Sequence, residues 1–426
     1  MKFSIVIVNQ LLIEILILLL VLDLSNQSEP IKLYPNLKQP LSLPEREKIK
    51  FDNFEEIKLH MKTIIGNTEK PKKNKISVID FDLTKIDLKN VTQIVSFYND
   101  YTKHFNKKYE TKHEVEERMN IFKETIVSIN EHNSDDCSHY TQGINELSDM
   151  TWPEIVKQKL GLNKENVTKK SKLPTITLYS ATETPANKIP VEWDWRKYGI
   201  VTPPKKQLTC GSCWSFSSVS VLETYLMKIQ ISEGKFDPKN QLTLSEQNLL
   251  DCSGSFGTQG CDGGSTRMAF NYLKESKGLN TDKEYPYINK VSSSCQLNKE
   301  KLVNIEVKES QSIDSEDELV STIYNHGPTT VSFHTTKKNF KNYKNGLFED
   351  PKCIAKNINH YMTAVGYTAD YFILKNSWGQ EWGEDGYIRV SRAKVAENCG
   401  LFEQSYYPVM TNAVETDKIK DKLKKN

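Results

Sequence analysis

Seven of the eight cysteines in this 426-residue chain follow residue 189: Cys210, Cys213, Cys252, Cys261, Cys295, Cys353 and Cys399. Only Cys137 precedes it. Covalent stapling is therefore confined to the C-terminal half, and the chain divides into two unlike regions. Seven is also odd. In an oxidising compartment six thiols can pair, and the one left over is either a packing residue or a reactive group. Trp, Gly and alternating strand-like runs become frequent after Ile189, whereas the chain before it is rich in Lys, Asn and Asp.

The N-terminus bears on compartment. Leu11 to Leu22 form an apolar run, interrupted by Glu14, behind Lys2. This reads as a signal peptide over 1–27, cleaved near Ser25 to Ser28. No small-x-small site is visible, so an uncleaved signal anchor is the alternative. Sequons at Asn26, Asn90 and Asn166 offer glycosylation sites. Lys and Arg total 57 against 55 Asp and Glu, a net charge of +2, which gives no case for a nucleic-acid partner. With 6 Trp, 19 Tyr and 16 Phe the chain can nucleate a sizeable core, which excludes a wholly disordered protein. Residues 28–93 have little periodicity and read as a low-order arm. Residues 94–160 look helical. Residues 161–188, with Lys169-Lys170-Ser171-Lys172, read as an exposed, cleavable linker, and 413–426 as a solvated, frayed basic tail.

The pair Cys210-Gly-Ser-Cys213 has three readings: a redox dithiol, half a zinc site, or two thiols with separate fates. A zinc site needs a second ligand pair, and no other C-x-x-C is present. A redox dithiol should open a helix inside a βαβ unit, and Val201 to Gln207 is no buried strand. The third reading fits best. Phe216, Val219, Leu222, Leu226 and Ile229 recur at helical spacing, with Ser212 at the N-cap position. A thiol in that first turn feels the positive end of the helix dipole, which favours the thiolate.

A thiolate nucleophile needs a positioned imidazole. Only His326, His334 and His360 follow residue 189. His326 precedes Gly327-Pro328, and His334 ends an alternating run, so structural roles suit both. His360 lies in a strand-like segment. Asn376 follows in Asn376-Ser-Trp-Gly379, where its amide can hold an imidazole without adding charge and Trp378 can cover the bond from water.

Taken together, Gln207-Leu-Thr-Cys-Gly-Ser-Cys-Trp214, Asn359-His360, Asn376 to Tyr387 and Ile189 to Arg196 resemble the ordered motifs of papain-family cysteine proteases. The resemblance covers nearly all of 189–410. It implies Cys213 as nucleophile, His360 as acid/base, Asn376 as its orienter and Gln207 as an oxyanion-hole donor. It also implies disulfides Cys210–Cys261, Cys252–Cys295 and Cys353–Cys399, which leave Cys213 free. Upstream, Glu114, Arg118, Phe122, Thr125, Ile129 and Asn133 resemble the helix signature of the cathepsin L-like inhibitory pro-region, with Thr125 where the family usually has Asn. Val115, Met119, Phe122, Ile126 and Ile129 form its apolar stripe. Gly143 to Asp149 matches the following motif, with Leu147 replacing Phe.

The implied protein is thus a cysteine endopeptidase zymogen that hydrolyses peptide bonds through a thioester. Its fold would be α+β, a helical left domain and a β-barrel-like right domain over 189–412, preceded by a helical pro-domain that inhibits it. No cofactor or metal is called for. Protein and peptide substrates are expected, with a monomeric mature enzyme in a lysosome, a vacuole or outside the cell. Membrane attachment enters only through an uncleaved anchor. Substrate contacts map to Gly263, Gly264, Ser265, Thr266, Ser332, Asn359, Tyr361 and Gln404, with Trp378 and Trp382 beside them. Tyr361 stands where a small residue is usual, and Leu208 replaces a usual Gly. Small or polar P2 side chains are therefore expected. Two readings of other classes stay open: a catalytically silent binding protein on the same fold, and a secreted inhibitor built from the pro-like part.

Overall fold

The computed structural model describes residues 83, 86, 87, 90–162, 184–336, 339–392 and 394–423. The signal segment, nearly all of the 28–93 arm and the sequons at Asn26 and Asn166 lie outside them. The first element, α1 (Val91–His104), starts inside the arm's expected boundary, because the Asn90 side chain caps it by accepting from the Gln93 N–H. In α2 (Lys112–Asn133) Thr111 does the same for the Glu114 N–H. Strand β1 (Tyr140–Gln142) follows, then α3 (Trp152–Lys159), where the Glu154 carboxylate reaches back to the Thr151 N–H and hydroxyl. The buried residues of α2 are Met119, Phe122, Thr125, Ile126 and Ile129, while Val115 is only half-buried. Tyr101 of α1 packs on Phe122 with ring centroids 4.5 Å apart.

Glu114 and Arg118, one turn apart on α2, pair at 3.9 Å. Arg118 also grips Glu154 through two bonds of 2.7 and 2.5 Å, fastening α2 to α3. That fork holds the Glu154 carboxyl down to about 2. Asp149 is buried and accepts from Tyr101 (2.8 Å), Lys107 (2.9 Å) and Tyr109.

After residue 189 come helices α4 (Cys213–Ser232), α5 (Glu246–Cys252), α6 (Thr266–Ser276), α7 (Glu316–Asn325), α8 (Lys394–Asn398) and α9 (Thr416–Leu423). The strands are β2 (Trp193–Asp194), β3 (Gly278–Leu279), β4 (Val303–Asn304), β5 (Val307–Ile313), β6 (Thr329–Phe333), β7 (Tyr343–Phe348), β8 (His360–Tyr367), β9 (Tyr371–Lys375), β10 (Tyr387–Ser391) and β11 (Ser405–Met410). Nine strands form one sheet in the order β1-β7-β10-β9-β8-β6-β11-β5, with β2 on β8, and β3 pairs separately with β4. The path is open, so the expected barrel-like closure is corrected to a long sheet whose ends are different strands. Only β7 and β10 pair in parallel; the remaining neighbours are antiparallel.

Two apolar clusters lie on either side of the site. One gathers Val219, Leu222, Leu249, Phe270 and Leu273 from α4, α5 and α6. The other gathers Val331, Phe333, Met362, Leu374 and Ile388 from the sheet. Helix α4 belongs to both, since Met227 and Ile231 enter the second. The expected one-sided stripe is therefore a helix buried nearly all round. Its polar side chains are satisfied across the cluster boundary: Ser217 donates to the Met362 carbonyl at 2.7 Å, and Ser220 accepts from Lys375 at 3.0 Å.

The N-terminal helical segment adds a strand to the sheet of the C-terminal half, pairing Tyr140 with Gly346 and Gln142 with Tyr343. Lys341 is buried against it, donating to the Met150 carbonyl (3.0 Å) and the Thr125 hydroxyl (3.3 Å). Thr125 thus carries a polar contact at the position where Asn is usual. The frayed-tail expectation is also corrected. Residues 416–423 form α9, and Ile419 is 1% exposed within the sheet-side cluster.

The Arg118–Glu154 fork is part-buried, so it contributes about 1–2 kcal/mol to pro-domain stability. Glu154 is held below its ordinary value, so its contribution is complete above about pH 4.5 and fades as pH falls toward 2. Arg118→Met should therefore loosen the N-terminal helical segment at pH 5 by about fivefold or more, read from the time course of its limited proteolysis. An unchanged time course would remove the fork from the latch.

Candidate active site

Cys213 is the first residue of α4 and is fully buried. The structure joins Cys210–Cys261, Cys252–Cys295 and Cys353–Cys399, leaving Cys213 and the exposed Cys137 as free thiols among the described residues. Ser212 holds the N-cap position, but its side chain does not cap the helix. Its hydroxyl engages the Tyr287 hydroxyl at 2.8 Å and the Cys210 carbonyl at 3.3 Å. First-turn N–H groups of Cys213 and Trp214 are thereby left to face the sulfur, joined by the N–H groups of Gly161 and Tyr361.

His360 opens β8, and Asn376 follows the last residue of β9, which pairs antiparallel with β8. The hairpin sets His360 Nε2 2.8 Å from Asn376 Oδ1, and the same oxygen accepts from the Ser377 N–H at 2.8 Å. Nδ1 of His360 is buried and makes no hydrogen bond of ordinary geometry. Trp378 covers the pair at 5.3 Å from the imidazole, backed by Trp382 at 5.5 Å and by Phe340, 5.2 Å from Trp378 and 5.0 Å from Trp382. This aromatic wall lowers the local dielectric around the His360–Asn376 bond and strengthens it. His326 and His334 lie elsewhere. His326 stacks on Tyr407, and His334 Nδ1 accepts from the Ile354 N–H at 3.0 Å.

Gln207 is buried and fixed at three points. Its N–H donates to the Ser377 carbonyl (2.9 Å), its carbonyl accepts from Tyr287 (2.8 Å), and its Oε1 accepts from the Ser377 hydroxyl (2.6 Å). Nε2 is thereby aimed at two carbonyl oxygens, Cys210 at 2.8 Å and Lys159 at 3.0 Å. Lys159 belongs to the pro-region. The next residues thread the cleft, with the Gly264 N–H donating to the Gly161 carbonyl at 2.9 Å and the Leu162 N–H to the Asn359 carbonyl at 3.2 Å. A Cβ on residue 161 would lie 1.7 Å from the Gly211 carbonyl oxygen, so only glycine can pass there. The expected linker boundary after residue 160 is corrected accordingly: Gly161 and Leu162 occupy the cleft.

That strand of backbone buries the reactive groups. Burial pushes the Cys213 thiol up to about 11, against the pull of the surrounding N–H groups. Burial likewise holds His360 down to about 4, opposed by the Asn376 bond and the Lys159 carbonyl. The first-turn N–H groups do pull the thiol down, as expected, but in this state desolvation outweighs them.

The expected pocket residues gather here, but most of their polar atoms are already committed. Ser265 caps α6 through the Arg267 N–H, and Thr266 pairs with Thr330 at 2.9 Å. Ser332 donates to the Gly400 carbonyl at 2.6 Å and accepts from the Gln404 N–H at 3.0 Å. Asn359 Oδ1 accepts from the Thr335 N–H and hydroxyl, each at 2.9 Å. Gly263 has φ +120°, turning the chain so that Gly264 presents its N–H. Tyr361 is buried in one apolar cluster with Cys213, Trp214 and Leu162. Gly161, Leu162 and Ser377 are the residues that sequence reasoning did not single out. The adjacency of Gly161 to the end of an amphipathic helix was the available signal for the first two.

The family model described as papain family cysteine protease matches residues 189–409, and that described as cathepsin propeptide inhibitor domain matches 98–155. Cysteine proteinase 3 of Solanum lycopersicum is 36% identical over 315 residues, 71% of this chain and 82% of its own. Cathepsin L of Sarcophaga peregrina is 33% identical over 328 residues, 74% and 92% respectively. Among solved structures, digestive procathepsin L 3 of the Tenebrio molitor larval midgut superposes with TM-score 0.62 at 30% identity, covering 74% of this chain and 99% of that one. The recombinant stem bromelain precursor gives TM-score 0.62 at 30% identity, covering 75% and 99%.

Leu208, next to Gln207, sits at φ +55° with its side chain 39% exposed. A branched residue is strained there, and its little-buried side chain offsets little of the cost. Leu208→Gly is expected to stabilise the zymogen by about 0.5–1 kcal/mol in denaturant unfolding. A loss of stability would show that Leu208 packs more than its exposure implies.

Proposed function

Because the chain belongs to the papain family of cysteine proteases and is a cysteine endopeptidase made as a zymogen, we propose specific roles for the groups in its cleft. Cys213 Sγ attacks the peptide carbonyl carbon as thiolate, with His360 as imidazolium. Nε2 of His360 is engaged by Asn376, so Nδ1 is the nitrogen that exchanges protons with the sulfur and then protonates the leaving amine. The oxyanion is met by Gln207 Nε2 and the Cys213 N–H. Water then adds to the thioester carbon, giving its proton to His360 and releasing the acid and the thiolate.

The observation that carries this reading is the Lys159 carbonyl oxygen, 3.0 Å from Gln207 Nε2 and beside the His360 ring. A pro-region carbonyl there occupies the place of a substrate carbonyl. Departure of residues 159–162 would readmit water, remove the desolvation that disfavours both charged forms, and allow the ion pair. The route through the secretory pathway, ending in a lysosome, a vacuole or outside the cell, is supported by three disulfides and by the apolar N-terminal run. No helix among the described residues is long and apolar enough to cross a membrane. Exposed Asn90 is the described sequon. Its Oδ1 caps α1, leaving Nδ2 for a glycan.

The expectation of polar P2 side chains is revised. The Thr266 and Ser332 hydroxyls are spent on internal bonds, and Leu162 shares an apolar cluster with Tyr361. An aliphatic P2 residue of Leu or Val size suits such a pocket, with Tyr361 limiting its depth.

Two sets of measurements check these roles. Cys213→Ala and His360→Ala should abolish turnover while the disulfides and fold persist, and Gln207→Ala should lower kcat by about 100-fold. An epoxide-type thiol reagent should label Cys213 stoichiometrically only after the pro-region leaves; turnover by the Cys213 variant, or no labelling of mature protein, would return the reading to a silent scaffold. In a P2 library Leu and Val should lead Phe, Ser and Gln by about tenfold, and Tyr361→Ala should admit Phe. A polar P2 residue ranking first, or Phe ranking first in the unaltered enzyme, would overturn this pocket assignment.

A further inference from the structure

Helix α9 lies beyond the span that the papain family model matches. It is nevertheless docked on the enzyme. The Thr416 hydroxyl donates to the Tyr324 and Asn325 carbonyls at the end of α7. Lys422 donates to the Ser232 carbonyl at the end of α4. Lys420 Nζ lies 4.6 Å from the centre of the Trp193 ring and 4.7 Å from that of Tyr324. Lysines on helix C-terminal carbonyls and aromatic faces are favourably placed, and Ile419 adds a buried apolar contact.

What α9 faces is the start of the enzyme. Its Asp417 accepts from the Tyr324 hydroxyl at 2.9 Å and from the Thr184 hydroxyl at 3.3 Å. The Thr184 N–H donates to Asn325 Oδ1 at 3.1 Å. Residues 186–188 then form a single 3-10 turn, closed by Lys188 N–H to Pro185 (2.8 Å) and Ile189 N–H to Ala186 (3.2 Å). The Pro190 carbonyl accepts from Tyr367 at 3.1 Å. Residues 184–190 are therefore held at both ends and coiled between them. A peptidase needs several residues on each side of the cut bond in extended form, so any bond in this stretch must first be pulled free.

We propose that the activating cut falls on the N-terminal side of Thr184, and that α9 sets this limit by retaining residues 184–190 on the mature enzyme. The step is ordinary hydrolysis: water supplies a hydroxyl to the carbonyl carbon of the upstream residue, and the amine of the downstream residue takes the proton. A cut directly before Thr184 would leave its new ammonium on Asn325 Oδ1, beside the Asp417 carboxylate, a charge-assisted form of the bond already present. The proposal rests on the zymogen reading and deepens it by assigning the processing limit.

The test uses the full-length zymogen, converted to active enzyme, with N-terminal sequencing and intact mass of the product. The unaltered chain should begin at Thr184 or upstream. A chain ending at Ala413 should give termini shifted into 185–190, with kcat/KM on a short peptide substrate kept within about twofold. Asp417→Ala, which leaves the buried contacts of α9 in place, should shift a fraction of molecules the same way and serves if the shortened chain does not fold. A terminus downstream of Thr184 in the unaltered enzyme, or identical termini in all three proteins, would overturn the proposal. Full activity with no segment removed would instead sink the zymogen reading on which it rests.

Discussion

The backbone of residues 159–162 governs the state of this molecule. One carbonyl, that of Lys159, takes the Gln207 amide; the next residues are clamped by Gly264 and Asn359. The passage is so narrow that an added methyl at residue 161 would meet the Gly211 carbonyl. Backbone against backbone excludes water, and without water neither a thiolate nor an imidazolium is stable in so apolar a place. Latency is therefore more than a steric plug. The segment that fills the cleft also desolvates Cys213 and His360, which raises the thiol and lowers the imidazole.

Holding that segment is the work of distant contacts. β1 extends the enzyme's sheet through β7, Lys341 reaches into the pro-domain, and the Arg118–Glu154 fork locks α2 to the helix that leads into the cleft. Each is modest alone. In series they fix the exit of α3 so that Lys159 arrives at Gln207. The enzyme's side of the site is comparably fixed. α4 is buried in both apolar clusters, so Cys213 cannot shift without disturbing either, and the β8–β9 hairpin sets His360 on Asn376 behind a wall of Trp378, Trp382 and Phe340. Ser377 joins Asn376 to Gln207, since its N–H donates to the Asn376 side-chain oxygen while its hydroxyl donates to the Gln207 side-chain oxygen.

Much of the site was legible in the linear chain because its chemistry sits in short motifs. Cys213 stood out by the odd count of cysteines and by the helix pattern that follows it, His360 and Asn376 by their segments, and Gln207 only through the resemblance to papain-family proteases. The fold brings these residues into one cleft. Other readings were incomplete for identifiable reasons. Glu114 and Arg118 do pair at 3.9 Å as helix spacing permits, but spacing does not show that Glu154 offers Arg118 a closer, two-pronged partner from a different helix. The polar pocket residues looked available because a sequence does not show that Thr266 and Ser332 already have partners. The C-terminal stretch looked frayed because its charges hide one buried isoleucine, and nothing local announces that Trp193 and Tyr324 await its lysine.

The sequence by itself determined that one thiol of the C-terminal half is left over from pairing, and its motifs carried the resemblance that implied the disulfide set and a helical inhibitory segment ahead of the enzyme. These depend on residue identity and on motifs a few residues long. Tertiary structure alone decided the open course of the sheet, the residues that fill the cleft, the desolvation of Cys213 and His360, and the docking of α9 over the start of the enzyme. Those outcomes depend on which distant backbones meet and how much water they exclude, and burial of that kind leaves no mark in local sequence.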